Sequence, residues 1–138
     1  MRVLSVVAVL IWGLMLAGCV SQNERVLQGD EQVKLRNMQS RTFATDDKNL
    51  VVRNAIATLQ DLGFIIDKAD ADLGTVSATK LSGYQIRMTV TVRSKSATEM
   101  LVRASAQYNL EAIEQPEVYQ DFFAVLSKSL FLAANAVE

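Results

Sequence analysis

The chain has 138 residues, enough for one domain with a modest core, and its formal charge of −1 leaves no strongly basic footprint for nucleic acid. It holds no histidine and a single cysteine. Their scarcity removes Ser-His-Asp and Cys-His catalysis, imidazole metal sites and any intramolecular disulfide framework. Only carboxylate or lysine chemistry remains for an enzyme. The chain therefore reads as non-enzymatic, with no catalytic residue, no metal site and no cofactor.

Met1-Arg2 carries one positive charge, and Val3 to Leu16 follows without any. A run of fourteen residues is short for a membrane span, which needs about 20, and fits the apolar region of a signal peptide. No polar face interrupts it, as a core helix would require. Small residues close it: Leu16-Ala17-Gly18-Cys19 resembles, at every position, the lipobox of bacterial lipoproteins. The resemblance implies a diacylglyceryl group on the Cys19 thiol, removal of residues 1–18, and acylation, as by palmitate, of the freed amine. Several acyl chains anchor a protein stably where one alone is marginal, at about 0.8 kcal/mol per buried methylene. Val20-Ser21 follow the cysteine with no aspartate beside it. That pattern resembles the outer-membrane destination, facing the periplasm, more than inner-membrane retention.

Residues 19–37 are mostly polar, with Val26, Leu27, Val33 and Leu35 widely spread. They read as a flexible tether of roughly 20–25 Å reach, a short surface helix being the other option. A single domain, 38–138, follows. "MQSRTF" (Met38 to Phe43) reads as a strand. "TDDKNLVVRNAIATLQDLGF" gives the clearest helix, with Thr45, Asp46 or Asp47 as N-cap and acidic groups at the positive end of its dipole. Val52, Ala55, Ile56 and Leu59 recur at helical spacing as a buried stripe. Gly63 sits where a Schellman ending needs a left-handed residue, with Phe64 packing back on Leu59.

Four more strands follow: "FIID", "TVSATK", "YQIRMTVTVR" and "MLVRASAQYN". Alternation puts Tyr84, Ile86, Met88, Val90 and Val92 inward on the third, and Met100, Val102, Ala104, Ala106 and Tyr108 inward on the fourth. Arg87, Arg93 and Arg103 then project from the outer face among threonines and serines, as a docking surface for an acidic partner, lipid headgroup or glycan, or as an ordinary solvated face. The acidic run "DKADADLG" lacks the spacing of a calcium loop and reads as a turn.

Pro116 suits the first turn of a helix running to the C-terminus, with Tyr119, Phe122, Phe123, Leu126 and Leu130 as its core stripe. Val125, Phe131 and Leu132 widen the apolar arc beyond one face. Val118, Phe131 and Leu132 are the residues most open to a partner. The order β-α-β-β-β-β-α predicts an α+β two-layer sandwich, an antiparallel sheet with two helices on one face.

"MQSRTFATDDKNLVVRNAIATLQDLGFIIDKADADLGTVSATK" and "PEVYQDFFAVLSKSLFLAA" resemble a group of small Gram-negative envelope lipoproteins with no established activity. The shared segments are Arg41 to Phe43, Leu59 to Phe64, Gly74 to Lys80 and Tyr119 to Leu132. They imply a lipid-anchored accessory protein that stabilises or docks an envelope partner in an assembly, secretion or efflux complex. The alternative is a carrier that binds lipid or glycan between sheet and helices.

Overall fold

The computed structural model describes residues 22–136, with side chains from residue 29 onward. The signal segment and Cys19 lie outside the described residues. The chain divides into two units, the second beginning at Lys34. Helix α1 (Gln22–Met38) begins in the first and ends in the second. Of the two options the sequence leaves for residues 19–37, coil tether or short helix, the stretch from Gln22 takes the helical one. Its apolar residues are sparse, but Glu, Gln, Leu, Lys and Arg are all good helix formers, and no proline interrupts them. At 1.5 Å per residue the helix runs about 25 Å along its axis.

The second unit continues with β1 (Ser40–Phe43), α2 (Lys48–Asp61), β2 (Ile65–Asp70), β3 (Thr75–Leu81), β4 (Gln85–Ser96), β5 (Glu99–Tyr108), β6 (Glu111–Ala112) and α3 (Pro116–Asn135). All strand pairs are antiparallel, in the order β1-β5-β4-β3-β2. Strand β6, which the sequence does not announce, pairs with Gln107 and Tyr108 of β5. It therefore shares an edge of β5 with β1, which pairs with Met100 to Arg103. The expected α+β sandwich is the observed architecture.

Local chemistry explains why α2 starts and stops where it does. Asp47 is the N-cap, its carboxylate accepting from the Leu50 N–H at 2.8 Å. At the other end the Phe64 N–H donates to the Leu59 carbonyl and the Gly63 N–H to the Gln60 carbonyl, both at 2.9 Å. These are the two bonds of a Schellman ending, with Gly63 in the left-handed region at φ 83°. Lys80 Nζ then reaches the Leu62 carbonyl at 2.9 Å, placing a cation at the negative helix end.

Val51, Val52, Ala55 and Leu59 of α2 and Tyr119, Phe122, Phe123, Leu126 and Leu130 of α3 are buried against the inner sheet face. The sheet contributes Val76, Ala78, Met88, Val90, Val92, Met100, Val102, Ala104 and Ala106. Ile56, expected in the stripe, is only half-buried, and Val51 takes its place. The alternation overreaches at the strand ends. Tyr84 is 52% exposed and Tyr108 40%, although both keep the inward parity. They stack on each other edge to face, centroids 5.0 Å apart, beside an open cleft that Val118 of α3 also lines.

Gly74 enables the tightest approach in the sheet. It has φ 67°, its carbonyl accepts the Val92 N–H at 2.7 Å, and a Cβ there would stand 2.3 Å from the Val92 oxygen. No side chain fits. Among the described residues no helix is long and apolar enough to cross a membrane.

Candidate functional site

Because both long helices of the second unit lie on one face, strand register decides what the other face presents. Arg103 stands opposite Thr91, Leu101 opposite Arg93, Ser105 opposite Thr89 and Gln107 opposite Arg87. Strand β3 adds Thr75, Ser77 and Thr79, and β1 adds Ser40 and Thr42 in the same rows. The outer face is thus a field of hydroxyls set with three arginines, as alternation predicts.

Arg87, Arg93 and Arg103 are all exposed, and among the described residues no carboxylate lies within 4 Å of any of them. Several other cations are engaged: Lys48 with the Asp72 carbonyl, Lys80 with the Leu62 carbonyl, Lys95 with Glu99, and Arg41 over the Phe123 ring at 5.0 Å. Arg93 and Arg103 face a common hollow of about 390 Å³, walled by Thr89, Thr91, Leu101 and Ser105. Arg87, two residues before Thr89, is about 7 Å from that wall along β4 and does not line the hollow. The structure thus brings two of the three predicted arginines together and leaves the third apart.

Arg103 is braced from beneath. Its Nη2 donates to Gln39 Oε1 at 3.4 Å, and Gln39 Nε2 donates to the Tyr119 hydroxyl at 3.2 Å. Gln39 is 5% exposed, and Tyr119 is fully buried. The Tyr119 hydroxyl in turn donates to the Ile113 carbonyl and accepts the Ala106 N–H. It fills the gap on the β5 edge between β1 and β6, where Ala106 would otherwise lack a partner. Sequence reasoning passed over Gln39. A glutamine beside a strand start carries no signal that its amide will be buried.

On α3, Phe131 is 68% exposed and Leu132 56%, so both stand in solvent. Val118, grouped with them by sequence, is half-buried and packs against the core. It also lines a cleft of about 470 Å³ at the far end of the sheet with Tyr84, Ile86, Tyr108 and Ile113. The space between sheet and helices is filled by side chains at most 2% exposed, among them Tyr119, Phe122, Phe123, Val90 and Met88.

Of the acidic run, Asp70 accepts the Leu73 N–H at 2.8 Å within the β2–β3 turn. Asp67 accepts the Thr79 hydroxyl at 2.6 Å. Both carboxylates serve local structure. Cys19, the expected lipidation site, lies outside the described residues. In comparisons with known proteins, no protein-family model and no curated protein matched the chain.

Proposed function

We propose that this chain is a non-enzymatic, lipid-anchored accessory protein of the Gram-negative cell envelope. It is held at the outer membrane by acyl chains on Cys19 and faces the periplasm, where it docks or stabilises a protein partner in an assembly, secretion or efflux complex. The anchoring half rests on the sequence, on Leu16-Ala17-Gly18-Cys19 after an uncharged run.

The docking half rests on one observation. Among the exposed large apolar residues, which also include Ile65, Leu73, Leu81 and Leu110, Phe131 and Leu132 are sequence neighbours on the last turns of α3 and stand mostly in water. Large apolar side chains left together on a surface mark contact sites more often than singly scattered ones do. The outer arginines supply a polar surface of opposite character on the sheet side.

The test is in-cell cross-linking from a photoreactive residue placed at Ala124, an exposed α3 position, with and without Phe131→Glu and Leu132→Glu. The proposal expects a discrete cross-linked product that both substitutions abolish. The same product in all three proteins would refute the helix-face reading.

A further inference from the structure

We propose that the hollow between Arg93 and Arg103 on the outer sheet face binds a phosphate group, carried by a soluble phosphate ester or a lipid headgroup. This goes beyond the accessory reading, which stands on Phe131 and Leu132, so either can fail alone.

The lining is one-sided in its chemistry. Arg93, Arg103, Thr89, Thr91 and Ser105 line the hollow, the Ser105 hydroxyl donating to the Thr89 carbonyl at 3.5 Å, Leu101 is its apolar wall, and among the described residues no carboxylate contributes. Arg93 and Arg103 occupy diagonal positions on neighbouring strands, about 7–8 Å apart at the backbone, a span that a tetrahedral oxyanion can bridge. Arginine suits this role because its planar fork offers paired donors and cannot lose its charge. The Thr89 and Thr91 hydroxyls can complete the coordination of the remaining oxygens.

What distinguishes this hollow from any basic sheet surface is the brace under Arg103. The Gln39 amide is held on one side by the buried Tyr119 hydroxyl and on the other receives an Arg103 N–H. One of the five guanidinium donors is thereby spent on fixing the group, and four remain for a ligand. Gln39 is a positioning residue. A guanidinium fixed before the ligand arrives loses less freedom on binding than a free surface arginine.

Arg87 supplies the internal control. It lies on the same face, carries the same charge and has no carboxylate partner among the described residues, yet it stands outside the hollow. Simple attraction of anions to a positive surface would depend on all three arginines alike. A built site depends on two.

The experiment follows the Nε–Hε resonances of Arg93 and Arg103 in the full chain, held in a neutral polyoxyethylene detergent, while glucose 6-phosphate or inorganic phosphate is added. A second arm compares hydrogen exchange of β4 and β5 in phosphatidylcholine vesicles with and without phosphatidylglycerol. For a soluble ester, both resonances shift saturably, and Arg93→Gln or Arg103→Gln weakens binding about tenfold while Arg87→Gln leaves it unchanged. For a lipid headgroup, only the phosphatidylglycerol arm responds, with the same variant pattern. No response in either arm overturns the proposal. So does an equal loss on Arg87→Gln, which would mean charge without a site.

Discussion

The Gln39 side-chain amide and the Tyr119 hydroxyl lie 3.2 Å apart, joining residues separated by 80 positions in the chain. Through them the residue before β1, the C-terminal part of β5 at Ala106 and the approach to α3 share one hydroxyl. That hydroxyl takes hydrogen bonds from Gln39 and the Ala106 N–H and gives one to the Ile113 carbonyl. Tyr119→Phe keeps the ring in the core and orphans all three groups. The expected loss is about 2–4 kcal/mol, because a buried polar group without a partner costs about 1–3 kcal/mol. Urea unfolding of the two proteins measures it. A loss below half a kilocalorie would mean that water replaces the hydroxyl.

The two turn glycines should respond unequally to alanine. Gly63 and Gly74 both have positive φ, but a Cβ at Gly63 meets only the flexible Lys80 side chain at 3.6 Å. The left-handed backbone alone then costs Gly63→Ala about 1–2 kcal/mol. Gly74→Ala adds a collision with the Val92 carbonyl, so its loss should reach at least about 3 kcal/mol. Thermal melts of the pair give the order directly, and a reversed order would contradict the packing described.

Within α2 one polar group is used and another is wasted. Asp47→Ala removes the N-cap bond to Leu50 and should cost about 1 kcal/mol. Thr58 is fully buried, and its hydroxyl has no hydrogen-bond partner among the described residues. Thr58→Val should therefore be neutral or stabilising by up to about 1 kcal/mol. Chemical denaturation of both variants reads the contrast, and a marked loss at Thr58→Val would reveal a partner for that hydroxyl.

These examples also show which parts of the fold are legible from local sequence. The N-cap, the Schellman ending, the proline opening α3 and the inward parity of Met88, Val90 and Val92 all depend on residues a few positions apart. What the sequence concealed was long-range or terminal. Tyr84 and Tyr108 follow the inward alternation but border an open cleft that leaves them exposed. Gln39 is buried only because β1 stops short and Tyr119 arrives from α3. Helix α1 was one of two options, because its sparse apolar residues give periodicity little by which to choose helix over coil. The arginine rows were legible, but their division into a pair and an outlier needed the register of β4 against β5.

The exposed and buried halves of α3 should part under mutation. Leu126→Ala, in the core, should cost about 2–5 kcal/mol. Phe131→Glu and Leu132→Glu should stay within about 0.5 kcal/mol of the parent, since both side chains are largely in solvent. Denaturation curves decide this. A severe loss at Phe131 would assign it to the fold rather than to a contact surface.

The most direct test of a lipid-anchored domain is the intact mass and membrane fractionation of the protein made in a Gram-negative host, beside Cys19→Ser. The expected product begins at Cys19, carries diacylglyceryl and acyl groups, and sediments with the outer membrane. The Cys19→Ser protein should keep its precursor mass and take up no lipid label. An unlipidated wild-type protein, or one whose processing and membrane association are unchanged by Cys19→Ser, would contradict the account.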